Sequence, residues 1–341
     1  MMKKLTIVWL LMITALGSTK AQDFQYSQFY AAPLYLNPAM AGATELTRVG
    51  ANYRKQWPGL SNDFTAYAAY IDHYSYDLNS GFGLAVNSFR ESNMNINTSD
   101  ISLFYSYNLQ LADTWHLRFG GQAAIVRRSA VLDNLVFGDQ IDVFSQTIAP
   151  NTLDQIPAFD PYSYLDISFG TLVNNDFFFL GIAGHHVNQP RLSFFPDNSQ
   201  NTLPLKVGIH GGYNIPLGSN YQWGSPFDNQ VTLLASYKQQ GPFKQLDIGT
   251  QLLYGKVIGG LSYRGIPSTQ YSPNHDAIIA LLGIKLDAGF VIGYSYDYQL
   301  SPIGSQTKGA HEVSFRYLFL WGNPKDRNRK SRINDCFYYM M

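Results

Sequence analysis

Large apolar residues recur at every second position along most of this chain. Across 290–298, Phe290, Ile292, Tyr294, Tyr296 and Tyr298 alternate with Gly293, Ser295 and Asp297. Across 312–319, Val313, Phe315, Tyr317 and Phe319 alternate with Glu312, Ser314 and Arg316. Ile101, Leu103, Tyr105, Tyr107 and Leu109 face away from Ser102, Ser106 and Asn108 in the same manner. Successive side chains of a strand point to opposite faces, so each segment has one oily face and one polar or small face. About fourteen such segments follow one another, near 46–56, 64–74, 79–90, 98–110, 115–128, 163–174, 176–188, 203–215, 229–240, 244–254, 256–266, 275–287, 288–298 and 310–320. No stretch shows helical periodicity.

The length of the segments decides what kind of sheet they make. Strands of water-soluble proteins cluster near ~5–6 residues, whereas a tilted strand crossing a bilayer needs ~9–11. Most of these segments are longer still. Lipid offers no hydrogen bonds, so a spanning sheet must close on itself. The expected fold is all-β: a closed antiparallel transmembrane β-barrel of about fourteen strands, with Tyr, Phe and Trp near segment ends forming interfacial girdles. Odd-numbered connections are mostly long and even-numbered ones mostly short, the asymmetry of external loops and periplasmic turns. An even strand count then puts both termini in the periplasm. Two connections break the rhythm, 216–228 and 241–243, through either a misplaced strand or an elaborated periplasmic loop. The longest connection, 129–162, is expected to be an external loop or a plug.

Composition agrees with a barrel. Only 14% of residues are charged, against ~25% in soluble domains, yet the mean hydropathy is −0.14. Apolar residues are therefore dispersed by alternation and not gathered into runs. Lys and Arg number 24, as do Asp and Glu. Without residues 1–21, which contain Lys3, Lys4 and Lys20, 21 basic and 24 acidic groups remain, a charge of −3. Neither balance suits nucleic acid. The single cysteine, Cys336, excludes an intramolecular disulfide and a thiol-rich metal site.

Lys3 and Lys4, the apolar stretch from Leu5 to Leu16, and the small residues before Gln22 read as an export signal over 1–21. The apolar stretch falls short of the ~20 residues of a membrane-spanning helix, which argues against the alternative of an uncleaved anchor. Residues 22–45 are then an N-terminal periplasmic segment, 46–321 the barrel, and 322–341 a tail with five Lys or Arg between Pro324 and Arg332. That tail reads as a solvated end, or as a patch attracted to acidic proteins or headgroups.

Two segments carry a family likeness. One is Tyr26-Ser27-Gln28-Phe29-Tyr30 followed by Pro33 and Asn37-Pro38-Ala39-Met40-Ala41-Gly42; the other is Tyr294-Ser295-Tyr296-Asp297-Tyr298 followed by Gly309-Ala310-His311-Glu312-Val313-Ser314-Phe315-Arg316-Tyr317. These resemble the PorP/SprF outer-membrane proteins of Bacteroidetes, over residues 22 to about 321. The resemblance implies localisation in the cell outer membrane and a non-enzymatic part in type IX secretion. It implies help in the export or surface attachment of specific secreted proteins, gliding adhesins among them. The partners it implies are outer-membrane lipid, a secreted protein or its C-terminal domain, and periplasmic and outer-membrane components of the secretion system. No cofactor or nucleic acid is implied. A porin or hydrophobic-substrate transporter is the alternative for a barrel of this size. An outer-membrane enzyme finds no Gly-x-Ser-x-Gly elbow to support it.

Site candidates follow from turn chemistry and strand phase. Asn37, Pro38, Ala39 and Gly42 form a turn leading into the first strand, or a docking element for a partner chain. Arg118, Asp166, Lys206, His210, Arg264, Asp297, Glu312 and Arg316 share the phase of the polar face and are expected in the lumen, because Arg or Lys facing lipid costs ~2–4 kcal/mol at the bilayer midplane. They would form an internal ion-pair network, or touch a plug or a translocating chain. His185 and His186 are neighbours on a strand, so their side chains diverge and cannot chelate one metal together.

Overall fold

The computed structural model describes residues 23–92, 95–131, 136, 138–142, 145, 147–150, 160–194, 201–217, 229–265, 275–286, 289–300 and 304–321. The export signal, the basic tail and Cys336 lie outside the described residues.

Fourteen antiparallel strands close into a barrel. They are β1 (Thr47–Gln56), β2 (Phe64–Ser75), β3 (Ser80–Glu91), β4 (Ile96–Gln110), β5 (His116–Ser129), β8 (Tyr162–Asn174), β9 (Phe178–His185), β10 (Lys206–Pro216), β11 (Asn229–Gln240), β12 (Phe243–Tyr254), β13 (Val257–Gly265), β14 (His275–Lys285), β15 (Phe290–Gln299) and β16 (Ala310–Phe319). Two short strands, β6 (Ile141–Asp142) and β7 (Thr147–Ile148), pair with each other inside the longest connection. Each barrel strand pairs with its sequence neighbours, and β1 closes the wall against β16 from Thr47↔Phe319 to Gln56↔Ala310. Every predicted segment is a barrel strand. The ninth segment pairs directly with the eighth, Lys206↔Gln240 to Pro216↔Gln230, so no strand was misplaced where the loop rhythm fails. The segment predicted over 176–188 stops at His185 because His186 turns to a positive φ of 59°, which ends the extended run.

The two faces sort as the alternation requires. Ile125 is 67% exposed and its neighbour Ala124 2%; Leu103 is 63% exposed and Ser102 0%. The exposed face is the lipid-facing belt. Phe290 stacks on Tyr317 with centroids 4.1 Å apart, Tyr317 on Phe319 at 5.0 Å, and Phe319 on Trp321 at 6.4 Å, giving an aromatic ladder at one rim. That rim also carries most of the short turns, the long connection 217–228, the start of β1 and the end of β16. The opposite rim carries the other long connections and the two-residue turn between β11 and β12.

Residues 23–46 run through the lumen. A periplasmic segment is expected over 22–45, but from Thr47, at the short-turn rim, the preceding chain folds back inside the barrel. Its far end, Asp23, stands beside Gln240, His186 and Lys206, which lie at or beyond strand ends on the long-loop rim. The segment has no strand partner. It is built from a 3-10 turn Phe29–Ala31, a helical turn Pro33–Leu36 opened by proline, and a second 3-10 turn Pro38–Met40. Prolines at first helical positions lose no hydrogen bond, since those N–H groups have no partner within the turn.

Candidate functional site

The lumenal segment is held on opposite walls. On one side, Glu312 accepts hydrogen bonds from the backbone N–H of Ser27 at 2.7 Å and of Gln28 at 3.1 Å. The Ser27 hydroxyl donates to Asp297 Oδ2 and accepts from Arg54 at 2.6 Å and Arg264 at 2.9 Å. Arg54 spans Asp297 at 2.8 Å and Glu312 at 3.2 Å, while Arg264 spans Asp247 at 2.7 Å and Asp297 at 3.1 Å. These groups come from β1, β12, β13, β15 and β16, so the first residues of the plug lock the seam where the barrel closes.

Across the lumen, Asn37 works in two directions. Its Oδ1 accepts from the Ala39 N–H at 2.8 Å and caps the 3-10 turn. Its Nδ2 donates to the carbonyls of Thr171 at 3.0 Å and Ile182 at 3.4 Å, and lies 3.3 Å from His210 Nε2. The wall here is flattened to admit backbone. A Cβ added to Gly120 would fall on the backbone of Ala39 and Pro38, and one added to Gly170 on the Asn37 amide. Only glycine lets the plug approach so closely. Past this seat, Gly42 at φ 64° donates its N–H to Asp72 at 2.7 Å. Arg48 clasps Asp72 through Nε at 2.8 Å and through a second nitrogen at 3.0 Å, and also donates to the Met40 carbonyl at 3.0 Å. Arg118 pairs with Glu45 at 3.1 Å beneath the Tyr74 ring. Leu34, packed with Tyr70 and Phe104, and Met40, packed with Leu172 and Phe179, fill the apolar gaps between these polar anchors.

Above the plug, on the long-loop side, opens a cavity of about 1000 Å³. Phe24, Tyr35, Phe89 and Tyr164 give it an aromatic wall, and Asp23, Asp166, His186 and Lys206 a charged corner. Phe24 stacks on Phe89 at 5.2 Å and meets Tyr26 edge-on at 5.5 Å. His186 Nε2 lies 2.7 Å from Asp23 and Nδ1 2.9 Å from Asp166, and Lys206 reaches Asp23 at 2.9 Å. Burial pushes the His186 imidazole down, but Asp23 and Asp166 outweigh it and bring it up to about 9. Burial likewise raises the Asp23 carboxyl, but Lys206 and His186 together hold it well below the usual carboxylate range.

The model of the type IX secretion system membrane protein PorP/SprF matches residues 18–317. The chain belongs to the PorP/SprF family. The membrane of this family member is the outer membrane, and the protein is a component of type IX secretion, associated with its machinery and cargo. Among solved structures, this PorP/SprF chain is similar to the outer membrane protein Omp33 of Acinetobacter baumannii, at 8% identity and TM-score 0.43, over 82% of this chain and 100% of that one. It is similar to a FadL homologue of Pseudomonas aeruginosa at 12% identity and TM-score 0.44, over 82% and 92%. It is also similar to the CymD monoaromatic hydrocarbon channel at 10% identity and TM-score 0.45, over 86% and 94%. No curated protein matches the chain significantly.

In this PorP/SprF barrel, Asn37, Pro38, Ala39 and Gly42 lie in the plug, and all four are buried. Arg118, Asp166, Lys206, His210, Arg264, Asp297, Glu312 and Arg316 are all buried within the barrel. The structure joins Arg264, Asp297 and Glu312 at Ser27, and Asp166 and Lys206 at the Asp23 corner; His210 contacts Asn37, and Arg118 contacts Glu45. His185 approaches the Leu36 carbonyl at 3.3 Å while His186 turns to the carboxylates, so the two rings serve different partners. Strand phase alone would also have found Arg48, Arg54, Asp72 and Asp247, which share the inward phase of their strands. Ser27, Glu45 and Asp23 carry no such signal, because they sit on the plug.

Proposed function

We propose that this barrel serves type IX secretion as a non-enzymatic platform that holds a specific exported protein, such as a surface adhesin, at the outer membrane. The observation that carries this reading is the plug. The barrel's own N-terminal segment crosses the lumen from the β15–β16–β1 wall to the β8–β9–β10 wall and leaves a cavity on the long-loop side. With long loops outside, that cavity faces the surface where an exported protein would be retained. The short-turn rim then faces periplasmic components of the machinery.

A passive porin needs an open lumen, and a plug anchored by hydrogen bonds on both walls favours the platform over the pore. Deleting this protein from the native cell should leave its exported partner inside the cell or lost to the medium, as read by surface labelling and immunoblots of cell and medium fractions. Normal surface display of every exported protein in the deletion strain would overturn the proposal. Mass spectrometry of chains that co-purify with the native barrel identifies the partner.

A further inference from the structure

Asp23 occupies a place built for an anion. Three side chains converge on its carboxylate: His186 Nε2 at 2.7 Å, Lys206 Nζ at 2.9 Å and Gln240 Nε2 at 3.1 Å. The donors are fixed independently of it. Lys206 lies over the Tyr35 ring, 4.8 Å from its centroid. His186 is held by Asp166 at 2.9 Å and sits in the left-handed backbone region at φ 59°, a conformation that non-glycine residues adopt at a cost and that recurs at binding sites. Gln240 ends β11 beside the two-residue turn into β12. Asp23 itself is anchored differently. It begins the described plug, and beyond its carboxylate it is held by one backbone hydrogen bond, from its N–H to Gln240 Oε1 at 2.9 Å.

The seat opens on the long-loop cavity. Asp23, His186 and Lys206 all line it, and Phe24, Tyr35, Phe89 and Tyr164 supply apolar ring surface within the same space. A ligand filling this corner would meet two cations and an amide at one end and aromatic faces around its body. Exchanging one carboxylate for another keeps the charge of the corner unchanged, so the swap strands no buried cation. A displaced Asp23 carboxylate would turn into the cavity that it already lines.

We infer that His186, Lys206 and Gln240 form a carboxylate-binding seat at the base of the long-loop cavity, that Asp23 fills it as an internal stand-in, and that a carboxylate ligand with an aromatic body takes the seat by displacing Asp23. The free C-terminus of a polypeptide and a small aromatic acid share this chemistry. The first source rests on the platform reading above; the seat itself does not.

The test uses the purified full-length barrel in detergent micelles, with calorimetric titration of three probes: N-acetyl-phenylalanine, an acetylated tetrapeptide ending in phenylalanine with a free carboxylate, and the same tetrapeptide amidated. Internal competition weakens binding to the native protein, so Asp23→Ala should bind the free acids at least tenfold more tightly and the amide no better. Lys206→Met added to Asp23→Ala should abolish the gain. A tetrapeptide acid at least tenfold tighter than N-acetyl-phenylalanine identifies a polypeptide end as the source; equal affinities identify a small acid. Equal binding of acid and amide, or of acid to native protein and Asp23→Ala, overturns the seat. Should Asp23→Ala fail to fold, hydrogen exchange of the native barrel decides. Saturating free acid should speed exchange over residues 24–31, and exchange unchanged by the acid overturns the proposal. Normal surface display in the deletion strain would sink the platform role and leave these binding results standing.

Discussion

Ser27 and Asp297 lie 270 residues apart in sequence and are joined by a 2.5 Å hydrogen bond in the barrel interior. The bond ties the plug to the last hairpin of the wall. Arg54 and Arg264 meet at the same two residues, so three strands and the plug share one polar node. Its members are almost wholly shielded from solvent, and removing Arg54 leaves Glu312 without its ion partner and Asp297 with Arg264 alone.

Arg54→Met should therefore cost the barrel about 3–5 kcal/mol, the range for breaking a buried ion pair from one side. The measurement is the urea midpoint of the purified protein in micelles, followed by tryptophan fluorescence. Adding Glu312→Gln should cost much less than the sum of the two single changes, because the second removes a charge that the first had stranded. Full additivity would show that the two side chains act independently.

Gly120→Val should push the plug from its seat. The new side chain would occupy the space of the Ala39 backbone, and overpacking of this kind costs about 1–3 kcal/mol. In planar bilayers the native protein is expected to pass little current and the variant to show clear conductance steps. Large, steady conductance from the native barrel, unchanged in the variant, would count against a plug that closes the lumen.

Asn37→Ala removes a cap and two bonds to the wall together. Loss of an N-cap alone costs about 1 kcal/mol, and the wall contacts add to it. Protease cleavage within residues 30–45 should rise in the variant, read by mass spectrometry of the fragments, while the strand segments remain protected.

The hold on the first limb of the plug should depend on pH in two directions. His186 is raised to about 9, so its contribution is complete below the ordinary histidine value and is lost as pH rises through about 9. Asp23 is lowered, so its contribution is complete above the ordinary carboxylate value and is lost as pH falls through its depressed one. Protection factors of residues 24–31 should be greatest in mildly acidic solution, fall in strong acid and fall again above pH about 9. His186→Gln should remove the alkaline fall.

The strands were legible because a pleated segment with one face in lipid must alternate, and Ile101, Leu103, Tyr105 and Tyr107 write that alternation openly. Inward charges such as Arg264 and Asp297 were legible for the same reason. Their pairing was not, since the register of a closed barrel brings together residues from opposite ends of the chain. The plug was legible only as turn chemistry at Asn37-Pro38. Its fixed points are single contacts spread over most of the wall, as at Glu312, Asp72 and Thr171, and such contacts leave no period in the sequence. Glycine at 120 and 170 looked like ordinary small residues of a polar face until the plug backbone was found against them.

A chain that threads its own barrel meets both mouths. Asp23 stands at the long-loop mouth, and Trp321 at the other rim. A cysteine placed at Gln25 would thus be labelled by an impermeant reagent from one side of the membrane and one placed at Trp321 from the other, so a single polypeptide presents its plug and its closing strand to two compartments.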